Sequence, residues 1–365
     1  MELERPPFRA DHVGSLLRPP ELRKAHEEAL AGRFPADELR ALQDRYIRDA
    51  IAMQEAIGLH SITDGEFRRS SFHADFIGKL EGARSAGSNA PGSGGQFGPR
   101  AFEVTGRLKR SRPIELDGFR FLRAQTKRTP KQTIPSPTML LRGGRDAVSR
   151  EAYPDLAEFH ADIARVYREE LRELGEAGCT YVQLDDTNFA YLCDPKLRET
   201  FRRLGHDSPM QFARLINAVL AARPAGMTAA IHICRGNSAG QWAAEGPYEP
   251  IAEVLFNALD VDAYFLEYDD ARSGGFEPLR FFPRAAKKKI VLGLVSSKHG
   301  EREAKDVLRR RIDEAARYVP LEKLCLSPQC GFASTFRGNP LAESDQRRKL
   351  GRVVEVATEV WGSAR

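Results

Sequence analysis

The chain lacks most of what would place it in a specialised class. Its 365 residues hold only five cysteines, at 179, 193, 234, 325 and 330. These are too few and too scattered for a disulfide framework, and reduced thiols in a cytosolic enzyme are the simpler reading. No apolar run is long enough to span a bilayer. The opening Met1-Glu2-Leu3-Glu4-Arg5-Pro6-Pro7 has no apolar core of a secretory signal, so a cytoplasmic protein is expected. Charge of one sign is also scarce: 56 basic against 51 acidic residues leave a net +5. That surplus is small for a nucleic-acid binder. The densest basic runs, Lys287-Lys288-Lys289 and Arg309-Arg310-Arg311, read as solvated ends of a strand and a helix. What is present, 41% hydrophobic and 29% charged residues, is the composition of a soluble globular protein.

Eight short apolar, β-rich segments stand out: 9–16, 60–64, 131–140, 179–185, 227–233, 263–267, 290–295 and 324–327. Amphipathic stretches with helical spacing lie between most of them, including 37–57, 156–177, 208–222 and 301–318. Pro209 after Ser208 suggests a helix start, and Gly178 a helix stop. Strands alternating with helices predict a parallel sheet, and eight repeats predict a closed (β/α)8 TIM barrel of the α/β class. One region breaks the pattern. Ser85 to Gly98 is rich in Gly, Ser, Pro and Asn and reads as a mobile loop. After it, Phe102 to Leu108 and Pro113 to Arg123 read as a β-hairpin inserted before the third barrel strand. The expected organisation is one barrel over 1–365, with loop and hairpin occupying 83–125.

In such a barrel the chemistry sits where strands end, and the expected strand ends are unusually polar. His232 and Cys234 close the fifth segment two residues apart, so on a strand they share a face. Glu267 closes the sixth, and Cys330 follows the eighth. One imidazole and two thiols form the combination that zinc selects, and three protein ligands with an exchangeable fourth position mark a catalytic site. Each residue also has a plain alternative. The cysteines could be small buried hydrophobes, His232 a hydrogen-bonded core residue, and Glu267 the partner of a barrel arginine such as Arg235.

These motifs resemble the catalytic half of cobalamin-independent methionine synthase, and most closely its short single-barrel members. The likeness runs from Phe8-Arg9-Ala10-Asp11-His12-Val13-Gly14-Ser15 through His232-x-Cys234 and Glu267 to Cys330-Gly331-Phe332. It implies a zinc ion held by His232, Cys234, Glu267 and Cys330, with Glu267 yielding to an incoming substrate thiol. It also implies that Glu66 and Asp185 hold the ammonium of homocysteine while the backbone at Gly14-Ser15 receives its carboxylate. A free amino acid needs acceptors at one end and donors at the other. The rival for the acidic residues is capping of the following helices, which suits Asp64 or Asp186 better than Glu66. His299, or Lys298 beside it, lies where the family has a functional histidine and is the candidate general acid.

The family's folate-stacking tryptophan is absent, since Leu141-Arg142-Gly143-Gly144 follows Pro137-Thr138-Met139-Leu140. The methyl donor is therefore either 5-methyltetrahydrofolate or a corrinoid-bound methyl group brought by a partner protein. An alternative is an alkyltransferase that opens an epoxide with coenzyme M, whose sulfonate would favour Arg or Lys where Glu66 and Asp185 stand. Two further alternatives are a non-catalytic binding or regulatory barrel and a decarboxylase-like barrel, neither of which needs the thiol ligands.

Overall fold

The computed structural model describes residues 5–85 and 102–365. Its centre is a six-stranded parallel sheet of β5 (Gln132–Pro135), β6 (Tyr181–Asp186), β7 (Thr228–Ile233), β8 (Ala263–Glu267), β9 (Lys289–Val295) and β10 (Leu324–Pro328), hydrogen-bonded in that order. Two further strand positions continue the ring. The 9–11 segment pairs with β10 in parallel through Ala10 and Leu326. On the other side β1 (Ser61–Ile62) pairs in parallel with β4 (Thr129–Pro130), which runs on into β5. The seam between the 9–11 segment and β1 is bridged by side chains: Ser61 Oγ donates to Asp11 Oδ1 at 2.7 Å, and His12 Nε2 lies 3.2 Å from the Ser61 carbonyl.

Strand alternation sorts residues into two cores. Ala229, Ile231 and Ile233 on β7, with Leu184 on β6, Leu266 on β8 and Leu292 on β9, face the helices and belong to the main apolar core. The opposite faces give Tyr181, Ala230, Ala263, Phe265, Val291 and Cys325, which form a separate cluster inside the ring with Val13. The ring interior also holds a buried ion pair, Lys131 Nζ to Asp11 Oδ1 at 3.2 Å, with the lysine over the rings of Tyr181 and Phe265. The ring is therefore filled, and a ligand must enter at the strand ends.

The expected helices form as α2 (Ala36–Ile57), α5 (Leu156–Glu176), α8 (Pro209–Leu220) and α10 (Lys305–Ala316). Pro209 is at the start of α8, although the Ser208 side chain makes no cap bond, and Gly178 takes the left-handed φ of +88°. Among the described residues no helix is long and apolar enough to cross a membrane.

The insertion differs from expectation. An antiparallel pair is present, but it joins β2 (Glu81–Ser85) to β3 (Phe102–Lys109). The segment expected to be its second strand, 113–123, instead carries helix α4 (Leu116–Gln125). The Phe-Arg-Phe alternation at 119–121 mimics a strand, but the buried residues Leu116, Phe119 and Leu122 recur every three positions and define a helical face. The Gly/Ser/Pro-rich stretch expected to be a loop lies, apart from Ser85, outside the described residues. The 131–140 segment also divides, with a 3₁₀ turn at Pro137–Leu141 after β5.

Candidate functional site

The alternation that fills the ring also aims the site. On β7 the inward series Ala230, His232 continues to Cys234 just past the strand end, and on β8 the series Ala263, Phe265 ends at Glu267. Cys330 arrives from β10 after a register shift at Ser327–Pro328. The ligand atoms of His232, Cys234, Glu267 and Cys330 all lie within 4.8 Å of one another, and all four residues are buried. The two sulfurs are 3.5 Å apart, close to the roughly 3.8 Å expected for two thiolates on one tetrahedral zinc with Zn–S of about 2.3 Å. Both ring nitrogens of His232 are buried with no hydrogen-bond partner among the described residues, an unfavourable state for an imidazole that a bound cation would relieve. The donor set and spacing fit a zinc ion.

The polarity around the cluster suits that role. The thiol of Cys330 is held well below its ordinary range, first by the hydrogen bond from Cys234 and then by His232, while the Cys234 thiol is held well above it. Burial pushes the Glu267 carboxyl up, but Lys298, Arg272, His232 and the Arg235 backbone N–H together keep it below the usual range. Glu267 Oε1 accepts the Arg235 backbone N–H at 2.8 Å, and Oε2 accepts from Arg272 Nη2 at 2.7 Å. Tyr248 Oη accepts the Glu267 N–H at 2.9 Å. The Arg235 guanidinium lies over the Tyr248 ring instead of pairing with Glu267.

Beside the cluster, a cavity of about 40 Å³ is lined by His232, Cys234 and Cys330, and also by Ser15, Glu66 and Asp185. Glu66 is reached through a strained backbone: its φ is +61°, rare for a residue with a side chain. Arg18 Nη2 pins that turn by donating to the Glu66 and Arg69 carbonyls at 2.5 and 2.6 Å. Glu66 Oε1 accepts from Thr133 Oγ1 at 2.9 Å, and Asp185 Oδ1 accepts from Gln183 Nε2 at 2.7 Å. Burial first, then the neighbouring Glu66, lifts the Asp185 carboxyl to about 7, and burial lifts Glu66 as well. Two buried carboxylates that resist ionising together form a natural seat for a cation. Their neighbours brace local turns: Asp186 accepts the Phe189 N–H at the entry to the short helix Asn188–Tyr191, and Asp64 accepts the Glu66 N–H in a turn that opens no helix.

Gly14 adjoins this pair at φ +141°, and a Cβ there would lie 2.7 Å from Thr133 Cγ2 and 3.0 Å from Glu66 Oε1. Ser15 lines the cavity and accepts the Ala333 N–H. Of the two general-acid candidates, Lys298 is buried with its Nζ 3.8 Å from Glu267 Oε2, whereas His299 is exposed, and neither lines the cavity. The turn is fixed by Ser297, whose N–H and hydroxyl donate to Gln329 and Gly331, so consecutive side chains diverge.

Sequence reasoning did not find Arg272, five residues past Glu267. It also did not find the far wall of Phe72, His73, Arg142 and Tyr191, where Arg142 donates to Tyr191 Oη at 2.6 Å. In the sequence Arg142 stands out only as part of the segment that lacks a tryptophan.

The family model for the catalytic domain of cobalamin-independent synthase matches residues 8–359. The chain belongs to this family. It is a family of methyltransferases, and in this chain His232, Cys234, Glu267 and Cys330, four residues able to hold a metal ion, come together. Protein YxjH of Bacillus subtilis is 44% identical over 364 residues, covering 97% of this chain and 95% of that protein. The methionine synthase of Pyrococcus abyssi is 24% identical over 99% of this chain. Among solved structures, the "Putative Vitamin-B12 Independent Methionine Synthase" from Listeria monocytogenes matches with a TM-score of 0.79 and 36% identity, over 99% of this chain and 100% of that one. A B12-independent methionine synthase from Shewanella sp. W3-18-1 shares the fold at a TM-score of 0.74 and 20% identity, over 97% and 98% of the two chains.

Proposed function

We propose that this protein is a zinc-dependent methyltransferase that converts homocysteine to methionine. The observation that carries the reading is the convergence of His232, Cys234, Glu267 and Cys330 beside the buried pair Glu66 and Asp185. When bound there, zinc would supply the positive charge that turns a thiol into a thiolate nucleophile at neutral pH.

The chain's own residues do the rest. Glu66 and Asp185 receive the substrate ammonium, whose charge offsets the burial that lifts both carboxyls and the repulsion from Glu66 that adds to it at Asp185. The backbone at Gly14 and Ser15 receives the substrate carboxylate, with glycine leaving room at the closest approach. Seated at both ends, homocysteine presents its sulfur to the cluster, and alignment is the main contribution a binding pocket makes to a displacement reaction. The far wall faces the methyl donor, either 5-methyltetrahydrofolate or a corrinoid-bound methyl from a partner protein. His73 on that wall stays neutral, since burial and then Arg142 push it down to about 3.

Purified protein should carry about one zinc per chain, and Cys330→Ser should remove the metal and the activity while circular dichroism shows the barrel intact. X-ray absorption should show a new sulfur at the metal with homocysteine and none with coenzyme M. Sulfur uptake from coenzyme M alone would favour the alkyltransferase, and an active metal-free enzyme would refute the proposal. Turnover with methyltetrahydrofolate against methylcobalamin then identifies the donor.

A further inference from the structure

Four protein donors complete the coordination of a tetrahedral zinc, so a substrate thiol can enter only if one donor leaves. The four are not equally free to leave. The two thiols bond each other at 3.5 Å inside the cluster, and among the described residues the His232 ring nitrogens have no hydrogen-bond partner outside it. Glu267 has partners in place: both carboxylate oxygens already accept hydrogen bonds, from the Arg235 N–H and from Arg272 Nη2.

Arg272 is anchored independently of Glu267. Nη2 also donates to Asp269 Oδ1 at 2.7 Å, Nη1 pairs with Asp270, and the guanidinium lies 5.3 Å from the Trp242 ring centre. A second cation waits on the same side. The Lys298 ammonium is buried with no hydrogen-bond partner among the described residues, 3.8 Å from Glu267 Oε2. That gap is too long for a hydrogen bond and short enough to close by a modest side-chain rotation.

We infer that Arg272 and Lys298 form a preorganised alternative seat for the Glu267 carboxylate, which competes with zinc for this ligand and sets how readily a thiol displaces it. The inference rests on the reading above that the four donors hold zinc. Arg272 and Lys298 are then positioning residues that act through Glu267.

The sign of a metal-affinity change tests this. If Arg272 only orients Glu267 toward the metal, its loss should weaken zinc, as loss of an outer hydrogen bond usually does by about 10–100-fold. If it offers a competing seat, its loss should strengthen zinc. Zinc dissociation constants from competition with a chromophoric chelator, without any thiol, should therefore fall about tenfold in Arg272→Gln and move the same way in Lys298→Met. Arg272→Lys, which keeps a charge and one donor, should fall between wild type and Arg272→Gln, and it carries the test should the glutamine variant not fold. With homocysteine present, X-ray absorption should show an oxygen ligand exchanged for sulfur in the wild type and retained in Arg272→Gln, with the homocysteine dissociation constant raised to match. Weaker zinc in the variants overturns the seat. Zinc binding without sulfur uptake by the wild type would instead overturn homocysteine as the acceptor, while the thiol-free affinities still decide the role of Arg272.

Discussion

At the residue scale, the convergence of His232, Cys234, Glu267 and Cys330 was legible because each member ends or follows an apolar strand, and strand parity points it inward without further information. His232 and Cys234 fall on the inward face with Ala230, and Glu267 with Phe265. Arg272 was not legible. It reaches Glu267 through a 3₁₀ turn at Ala271–Ser273, and no periodicity marks such a turn. Lys298 and His299 were equivalent in sequence, and only the bonds of Ser297 separate them. Glu66 and Asp185 yield a sharp prediction. If they seat the substrate ammonium as proposed, replacing either by its amide keeps the shape and removes one charge-assisted bond to it, worth about 1.5–3 kcal/mol. Glu66→Gln and Asp185→Asn should therefore weaken homocysteine binding by roughly 10- to 100-fold, measured by calorimetry on the zinc-loaded protein. Zinc content should stay unchanged, because neither residue belongs to the ligand cluster. Loss of zinc in either variant would contradict the division of labour between the two groups.

At the scale of elements, strands and long helices followed from pattern, while the insertion did not. Helix α4 was hidden because its stability does not come from its own sequence. Its N-terminus is held by a residue 55 positions away: Glu170 on α5 accepts the Ile114 N–H at 3.0 Å and the Glu115 N–H at 2.7 Å. The same carboxylate accepts from Arg110 Nε at 2.6 Å and is fully buried. Burial lifts the Glu170 carboxyl, and these donors offset part of that cost. Removing this carboxylate leaves Arg110 Nε and two backbone N–H groups without their acceptor while Arg110 keeps its pair with Glu173, a loss of about 1–3 kcal/mol. Glu170→Ala should show that loss in urea unfolding, with hydrogen exchange rising first in residues 110–125. The β2–β3 pair should loosen with it, because Arg110 directly follows β3. An unchanged midpoint would show that α4 docks without this anchor.

At the scale of the whole molecule, the ring order was legible because eight apolar segments alternate with helices, but the seam was not. There the 9–11 segment and β1 are linked by Asp11, His12 and Ser61, polar residues that no hydrophobic pattern would select. This seam gives the protein an acid sensitivity. Burial, and then the charge of Lys131, push His12 down to about 4. A histidine whose folded pKa is depressed stays neutral in the fold but takes up a proton in the unfolded chain below about 6.5. Its contribution is therefore fully present above about pH 6.5 and is lost as pH falls toward 4, at about 1.4 kcal/mol per pH unit. The lifted carboxyls of Glu66 and Asp185 act in the opposite sense over the same range, because the folded state takes up their protons first. The slope of the wild type alone is thus a mixture, and the informative quantity is a difference. Stability of the wild type minus that of His12→Gln, from urea unfolding on metal-free protein, should be constant above pH 7 and decline by about 1.4 kcal/mol per unit between pH 6 and 4.5. A difference that stays flat would mean that His12 is protonated at the seam, with its charge balanced by Asp11. Acid loss of stability would then have to come from the other histidines that burial holds down, His26, His160, His206 and His73, the last of them held to about 3 by burial and then Arg142.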